Sequence, residues 1–116
     1  MSKGNFLGEF EQLVLMGLIH LEPPHGTGGY GAALKRFLAD RADRNIAEGA
    51  IYTTLKRLET KGLVTSQMSA PLPKRGGRSR RLYTIHPAGR FQLYKSLSAL
   101  DRVKDTLPLG WAMGGV

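Results

Sequence analysis

The chain has 116 residues, a formal net charge of +8 and no cysteine. Its length suits one small domain, and a hydrophobic share of 41% supports one modest core, unlike a disordered polar chain. The missing cysteine excludes disulfides, thiolate zinc sites and cysteine nucleophiles. No apolar run approaches the roughly 18 residues of a membrane span, and the first residues lack a signal peptide's apolar stretch, so a soluble, cytoplasmic protein is expected.

The charge is concentrated in one segment. No Asp or Glu lies between Glu59 and Asp101, an interval that holds Lys61, Lys74, Arg75, Arg78, Arg80, Arg81, Arg90 and Lys95. The rest of the chain is neutral, and five of these cations crowd into Lys74–Arg81. Such clustering marks a polyanion binder; a solvated basic loop is the plainer alternative.

The first periodic segment, about Phe6 to Leu21, has Phe6, Phe10, Leu13, Val14, Gly17 and Leu21 at helical spacing, widened by Leu15, Met16, Leu18 and Ile19. A helix apolar on so many sides must be largely buried, and a domain this small is expected to cover part of it with another chain. Pro23-Pro24 ends it. The glycine-rich loop His25–Gly29 leads to a second helix, about Tyr30–Arg41, with Tyr30, Ala33, Leu34, Phe37 and Leu38 on its apolar face.

A third helix covers about Ala47–Lys61. Ile51, Leu55 and Leu58 stack on one side, and Gly62 is placed as a left-handed cap. The other side offers Gly49, Ala50, Tyr52, Thr53, Thr54, Lys56 and Arg57, a small, hydroxylic and basic face suited to close approach to phosphates and base edges. Two strands are predicted at about Leu63–Ser69 and Arg81–Ile85. Between them runs a basic loop punctuated by proline and glycine. A last helix begins at Pro87 and reaches about Leu107, with apolar residues at Phe91, Tyr94, Leu97, Leu100, Val103 and Leu107. The glycine-rich tail after it is expected to be loose.

Helix, helix, helix, strand, basic loop, strand, helix is the order of a winged helix-turn-helix, a mainly α fold with a small β-hairpin (α+β). In that reading the third helix enters the major groove, and the loop, the wing, reaches the backbone or minor groove. Two stretches carry a family resemblance. Gly49-Ala-Ile-Tyr-Thr-Thr-Leu-Lys-Arg-Leu-Glu-Thr-Lys-Gly-Leu-Val64 resembles the reading-helix signature of PadR-family regulators. Gly76-Gly-Arg-Ser-Arg-Arg-Leu-Tyr-Thr-Ile-His-Pro-Ala-Gly-Arg90 resembles that family's wing and the start of its last helix. The resemblance spans about Phe6–Leu107. It implies a prokaryotic, homodimeric transcriptional repressor whose first and last helices form the dimer surface, with Tyr52 on the DNA-facing side. The family's usual His-Gly-Tyr before the second helix is interrupted here by Thr27-Gly28-Gly29, and the chain after the last helix is short.

The expected organisation is therefore a DNA-binding domain over 1–86, a dimerisation helix over 87–108 and a flexible tail over 109–116. Expected DNA contacts are Gly49, Ala50, Tyr52, Thr53, Thr54, Lys56, Arg57, Lys74, Arg75, Arg78 and Arg80. Expected dimer contacts are Phe6, Phe10, Leu13, Phe91, Tyr94, Leu97, Leu100 and Val103. Double-stranded DNA and a second copy are the expected partners, with no membrane partner, no cofactor and no metal. An aromatic or cationic effector between the dimer's helices is compatible with the apolar last helix, and a winged-helix module for protein or RNA is the rival reading.

Other signals carry less. Gly26-Thr-Gly-Gly-Tyr-Gly31 matches G-x-G-x-x-G by letter, but two prolines and a helix precede it where a nucleotide site needs a buried strand. His20, His25 and His86 lack ligand spacing and are read as surface or capping residues. Arg75-Gly-Gly-Arg78 is a single RGG-like copy. Trp111 could line an apolar dimer pocket or lie in a disordered tail. No nucleophile–base pair or carboxylate pair can be assembled, so an enzyme is not expected.

Overall fold

The computed structural model describes residues 6–69 and 80–114. It forms α1 (Glu9–His20), α2 (Gly31–Ala42), α3 (Glu48–Thr60), β1 (Val64–Met68), β2 (Arg81–Ile85) and α4 (Pro87–Lys104), close to the expected bounds. The strands pair antiparallel, with Val64 opposite Ile85 and Ser66 opposite Tyr83. This is a winged helix-turn-helix, as expected; the wing loop itself lies outside the described residues.

Local chemistry sets the helix ends. The Gly8 N–H donates to Glu11 Oε1 at 3.2 Å, one half of a capping box at the start of α1. Asp43, with φ 55°, closes α2 in the left-handed conformation, and the next residue, Arg44, donates its N–H to the Leu38 carbonyl at 3.0 Å. Gly62, with φ 79°, follows α3 as expected. His86 caps α4, its Nδ1 accepting the Ala88 N–H at 2.9 Å ahead of Pro87.

Val14, Leu15 and Leu18 of α1 meet Leu34 and Leu38 of α2 and Ile51, Leu55 and Leu58 of α3, and the hairpin adds Val64, Tyr83 and Ile85. Truncating one such leucine to alanine typically costs about 2–5 kcal/mol. The breadth of α1's apolar surface has an internal cause. α1 packs against α2, α3, α4 and β2, so its own chain covers much of it. Phe10 and Leu13, expected at a partner surface, are half-buried against this core.

α4 joins the core through residues the predicted stripe left out. Gly89, Leu93 and Ser96 are buried, and Ser96 Oγ accepts the Leu7 N–H at 2.9 Å. Leu97 is half-buried, whereas Phe91, Tyr94, Leu100, Val103 and Leu107 are exposed. After Pro108 the chain does not simply trail away. Trp111–Met113 form a single 3-10 turn, and Trp111 joins Leu100, Val103 and Leu107 around a cavity of about 430 Å³.

The glycine-rich loop is a structural device. Gly29 forms an isolated bridge with Tyr83, whose N–H donates to the Gly29 carbonyl at 2.9 Å. A Cβ at Gly29 would stand 2.2 Å from the Tyr83 carbonyl oxygen, so only glycine allows this approach. The loop thus extends the hairpin sheet by one rung and fastens it to the start of α2.

Candidate nucleic-acid interface

Helical geometry sorts α3 into two faces. At about 100° per residue, Thr53 points some 200° away from Ile51, but Thr54 only about 60° away. Thr54 therefore completes the buried stripe of Ile51, Leu55 and Leu58 and is 5% exposed. This corrects the expectation that it faces outward. Gly49, Ala50, Tyr52, Thr53, Lys56 and Arg57 are all at least partly exposed on one arc. The Thr53 hydroxyl donates to the Gly49 carbonyl at 2.9 Å. Its proton is thus engaged, and the methyl group and an oxygen lone pair are left to face outward.

Tyr52 is 38% exposed. Its hydroxyl end lies over the start of α2, where a Cβ at Gly31 would come within 2.4 Å of the phenol oxygen. Its ring is 6.4 Å from that of Tyr83. Burial, with the Glu59 carboxylate adding, pushes the Tyr83 phenol above its ordinary value, so it stays neutral. Tyr52 is thus partly a packing residue joining α3 to α2 and β2, with its hydroxyl at the edge of the outward arc.

The cations divide into committed and uncommitted groups. Arg44 pairs with Glu9 and Lys61 with Glu11, each at 2.8 Å. Arg90 pairs with Glu22, and Lys104 with Asp101 and Asp105. Lys35 Nζ donates to the Ile46 carbonyl at 2.8 Å. Lys95 stands over the rings of Phe6 and Phe91, at 5.9 and 5.5 Å. Among the described residues Lys56 and Arg57 hold no ion pair, side-chain hydrogen bond or ring, and neither do Arg36, Arg41 and Arg102. The outward arc therefore carries two cations that no bonded partner holds, although the Arg57 charge also acts on Glu11 from a distance.

Arg80, expected to contact DNA, lies with its guanidinium 4.0 Å above the Tyr30 ring. Lys74, Arg75 and Arg78 lie outside the described residues. Of the expected dimer contacts, Phe6 and Tyr94 line one shallow cleft with Lys95, Ser98 and Arg102, and Leu100 and Val103 stand further along α4. The periodicity of α3 did not by itself reveal the residues that tie the hairpin to the helices, namely Tyr30, Glu59, Ser66 and Arg81. Their signal lay in the alternation of the strands and in Tyr30 opening α2. Among the described residues, no group of three or more His, Asp or Glu could hold a metal ion, and no helix is long and apolar enough to cross a membrane.

A family model, the transcriptional regulator PadR-like family, matches residues 16–100. The transcriptional regulator Rv3488 of Mycobacterium tuberculosis is 36% identical over 74 residues, which cover 64% of this chain. The chain spans 64% of that relative's length. A PadR family transcription regulator from Clostridium difficile R20291 superposes with a TM-score of 0.68 at 24% identity, over 84% of this chain and 93% of the other. PadR of Bacillus subtilis, solved in complex with operator DNA, superposes with a TM-score of 0.61 at 18% identity, over 77% of this chain and 46% of the other. The last two establish a shared fold. With its sequence matched through the helices and hairpin, the chain belongs to the PadR-like family, a family of transcriptional regulators and not of enzymes.

Proposed function

We propose that this protein is a homodimeric DNA-binding repressor. α3 enters the major groove, and the basic loop 70–80 lies along the backbone or minor groove. The observation that carries the reading is the outward arc of α3. Small residues at Gly49 and Ala50 allow close approach, Thr53 offers a methyl and an acceptor, and Lys56 and Arg57 bring positive charge that no ion pair or hydrogen bond holds. A helix about 10–12 Å across fits a groove about 12 Å wide. The operator-bound relative with the same fold supports DNA as the partner. The exposed stripe of Phe91, Tyr94, Leu100 and Val103 supports a second copy as the other.

The test is selection of bound duplexes from a random-sequence pool, followed by affinity measurement against salt and competitor DNA. A recovered motif whose binding survives competitor and falls steeply with salt is the expected result. Preference for RNA, or no salt-dependent duplex binding, overturns the reading in favour of an RNA or protein module. Wing arginines are expected to supply affinity and not specificity. Arg75→Ala with Arg78→Ala should weaken operator and random DNA alike and flatten the salt slope by about one unit for each phosphate no longer held.

A second reading concerns an effector. The open pocket of about 430 Å³ formed by Leu100, Val103, Leu107 and Trp111, with Lys104 beside them, is of a size and apolar character to admit an aromatic compound, the part of the expected effector class its lining favours. Quenching of Trp111, the sole tryptophan, reports occupancy directly; no quenching by a panel of such compounds removes this reading.

A further inference from the structure

Successive residues of a strand point to opposite faces, so Arg80 and Arg81, where the loop enters β2, reach in different directions. Arg80 turns to the start of α2 and stacks over Tyr30 at 4.0 Å. Arg81 reaches across the hairpin to β1, donating from its guanidinium to Ser66 Oγ at 3.0 Å. Ser66 in turn donates to Glu59 Oε2 at 2.7 Å. The hairpin root is closed between the two, the Arg80 N–H donating to Ser69 Oγ at 3.0 Å and the Ser69 N–H to the Arg80 carbonyl at 2.7 Å. Glu59 is also a carboxylate in the last turn of a helix, where the backbone dipole disfavours negative charge. Its contact with Ser66 offers a compensating use for that placement.

Resting on the DNA-binding reading, we propose that Arg80 and Arg81 act first as a clamp and only second as phosphate ligands. Together with Tyr30, Ser66 and Glu59 they fix the angle of the hairpin against α2 and α3, so that the wing and the reading helix meet DNA as one rigid unit. Planar guanidinium suits both contacts, the ring stack and the directed hydrogen bond; an ammonium would supply charge without either geometry.

The proposal separates from simple charge attraction because two of its parts, Tyr30 and Ser66, are uncharged. Tyr30→Leu and Ser66→Ala remove no positive charge, yet each should lower DNA affinity on the order of two- to five-fold, the size of one exposed cation–π or hydrogen-bond interaction. Each should also flatten the salt slope by up to about one unit as the wing lets go of phosphates. Tyr30→Phe keeps the ring and Ser66→Thr keeps the hydroxyl, so both should bind as the parent does. Arg80→Lys, which keeps the charge, should behave like Tyr30→Leu. Thermal unfolding of every variant is measured alongside, and the comparison uses those melting with the parent. If Tyr30→Phe and Ser66→Thr weaken binding as much as the disruptive pair, or if Tyr30→Leu, Ser66→Ala and Arg80→Lys all bind as the parent does, there is no clamp. A parent chain that does not bind DNA overturns the DNA-binding reading instead. The clamp is then read from amide hydrogen exchange of Tyr83 and Arg80, which must quicken in Ser66→Ala and not in Ser66→Thr.

Discussion

Thr53 and Thr54 are neighbours in sequence with opposite fates, because one step along a helix turns a side chain by about 100°. Thr53 holds its proton on the Gly49 carbonyl and presents its methyl to solvent, whereas Thr54 is packed among the core leucines. Thr53→Ala should therefore change the recovered DNA motif, or weaken the best site relative to random DNA, by an amount up to the roughly 1–3 kcal/mol of one good base contact. Thr54→Val keeps the buried shape and should leave motif and relative affinity alone. Parallel site selection with both variants checks this; a motif altered by Thr54→Val and untouched by Thr53→Ala reverses the assignment of the two faces. Tyr52 belongs to both worlds. Tyr52→Phe keeps its packing on Gly31 and Tyr83, and should reduce affinity for all sequences without changing the preferred one.

At the scale of elements, α1 is the hub. Within it and just beyond its end, Glu9, Glu11 and Glu22 take Arg44 after α2, Lys61 after α3 and Arg90 in α4. Exposed pairs of this kind contribute little each, up to about 1 kcal/mol, but Glu11 is mostly shielded and also receives the Gly8 N–H. Burial alone would raise its carboxyl. Hydrogen bonds from Lys61 Nζ and Gly8, with the charges of Lys61 and Arg57, outweigh burial and hold it below its ordinary 4.5. A carboxyl lowered in the folded state stabilises at pH above its unfolded value, and that contribution fades as pH falls through the folded one. Glu11→Gln should thus be less stable than the parent at neutral pH, by about 1 kcal/mol. The gap should close on acidification below about 4.5. Denaturant unfolding of both proteins across that range checks it; a gap of constant size would assign the effect to packing and not to charge.

The whole molecule is more open than its mass requires. Its accessible surface is 8106 Å², against about 6,200 Å² expected for a compact monomer of this mass. Its radius of gyration is 16.7 Å with a long axis of 60 Å, where a compact domain of this length has about 13 Å. The last turns of α4 stand clear of the core, with Leu100 at 59% and Val103 at 67% exposure. These features favour a second copy. Leu100→Asp with Val103→Asp should yield a folded monomer where the parent sediments as a dimer at micromolar concentration, because neither residue supports its own chain's core. Leu97 is unsuited to this test, being half-buried against that core. A parent chain that sediments as a stable monomer would remove dimerisation from the proposal.

Elements, their order and the basic segment were legible in the sequence because they depend on local rules. Period-3.6 stripes, Pro23-Pro24, Gly62 and Pro87 bound the helices, alternation marks the strands, and net charge needs no geometry. Much of the reading arc followed from the same periodicity, with Thr54 the exception. Ile51, Leu55 and Leu58 were recognised by their apolar character, and a threonine at the edge of that stripe has no polarity signal to mark it as buried. What only the tertiary structure decided are relations between distant segments. It supplies the partners that cover α1, and Leu93 with Ser96, in place of the larger apolar side chains, as the anchor of α4. It also brings Gly29 onto Tyr83, Arg80 over Tyr30 and Arg81 onto Ser66, which in turn holds Glu59 of α3. Such contacts join residues tens of positions apart, and no local period encodes them. The folded backbone brings those groups within bonding distance, and only there does an arginine become committed to a ring or a hydroxyl instead of remaining a free charge.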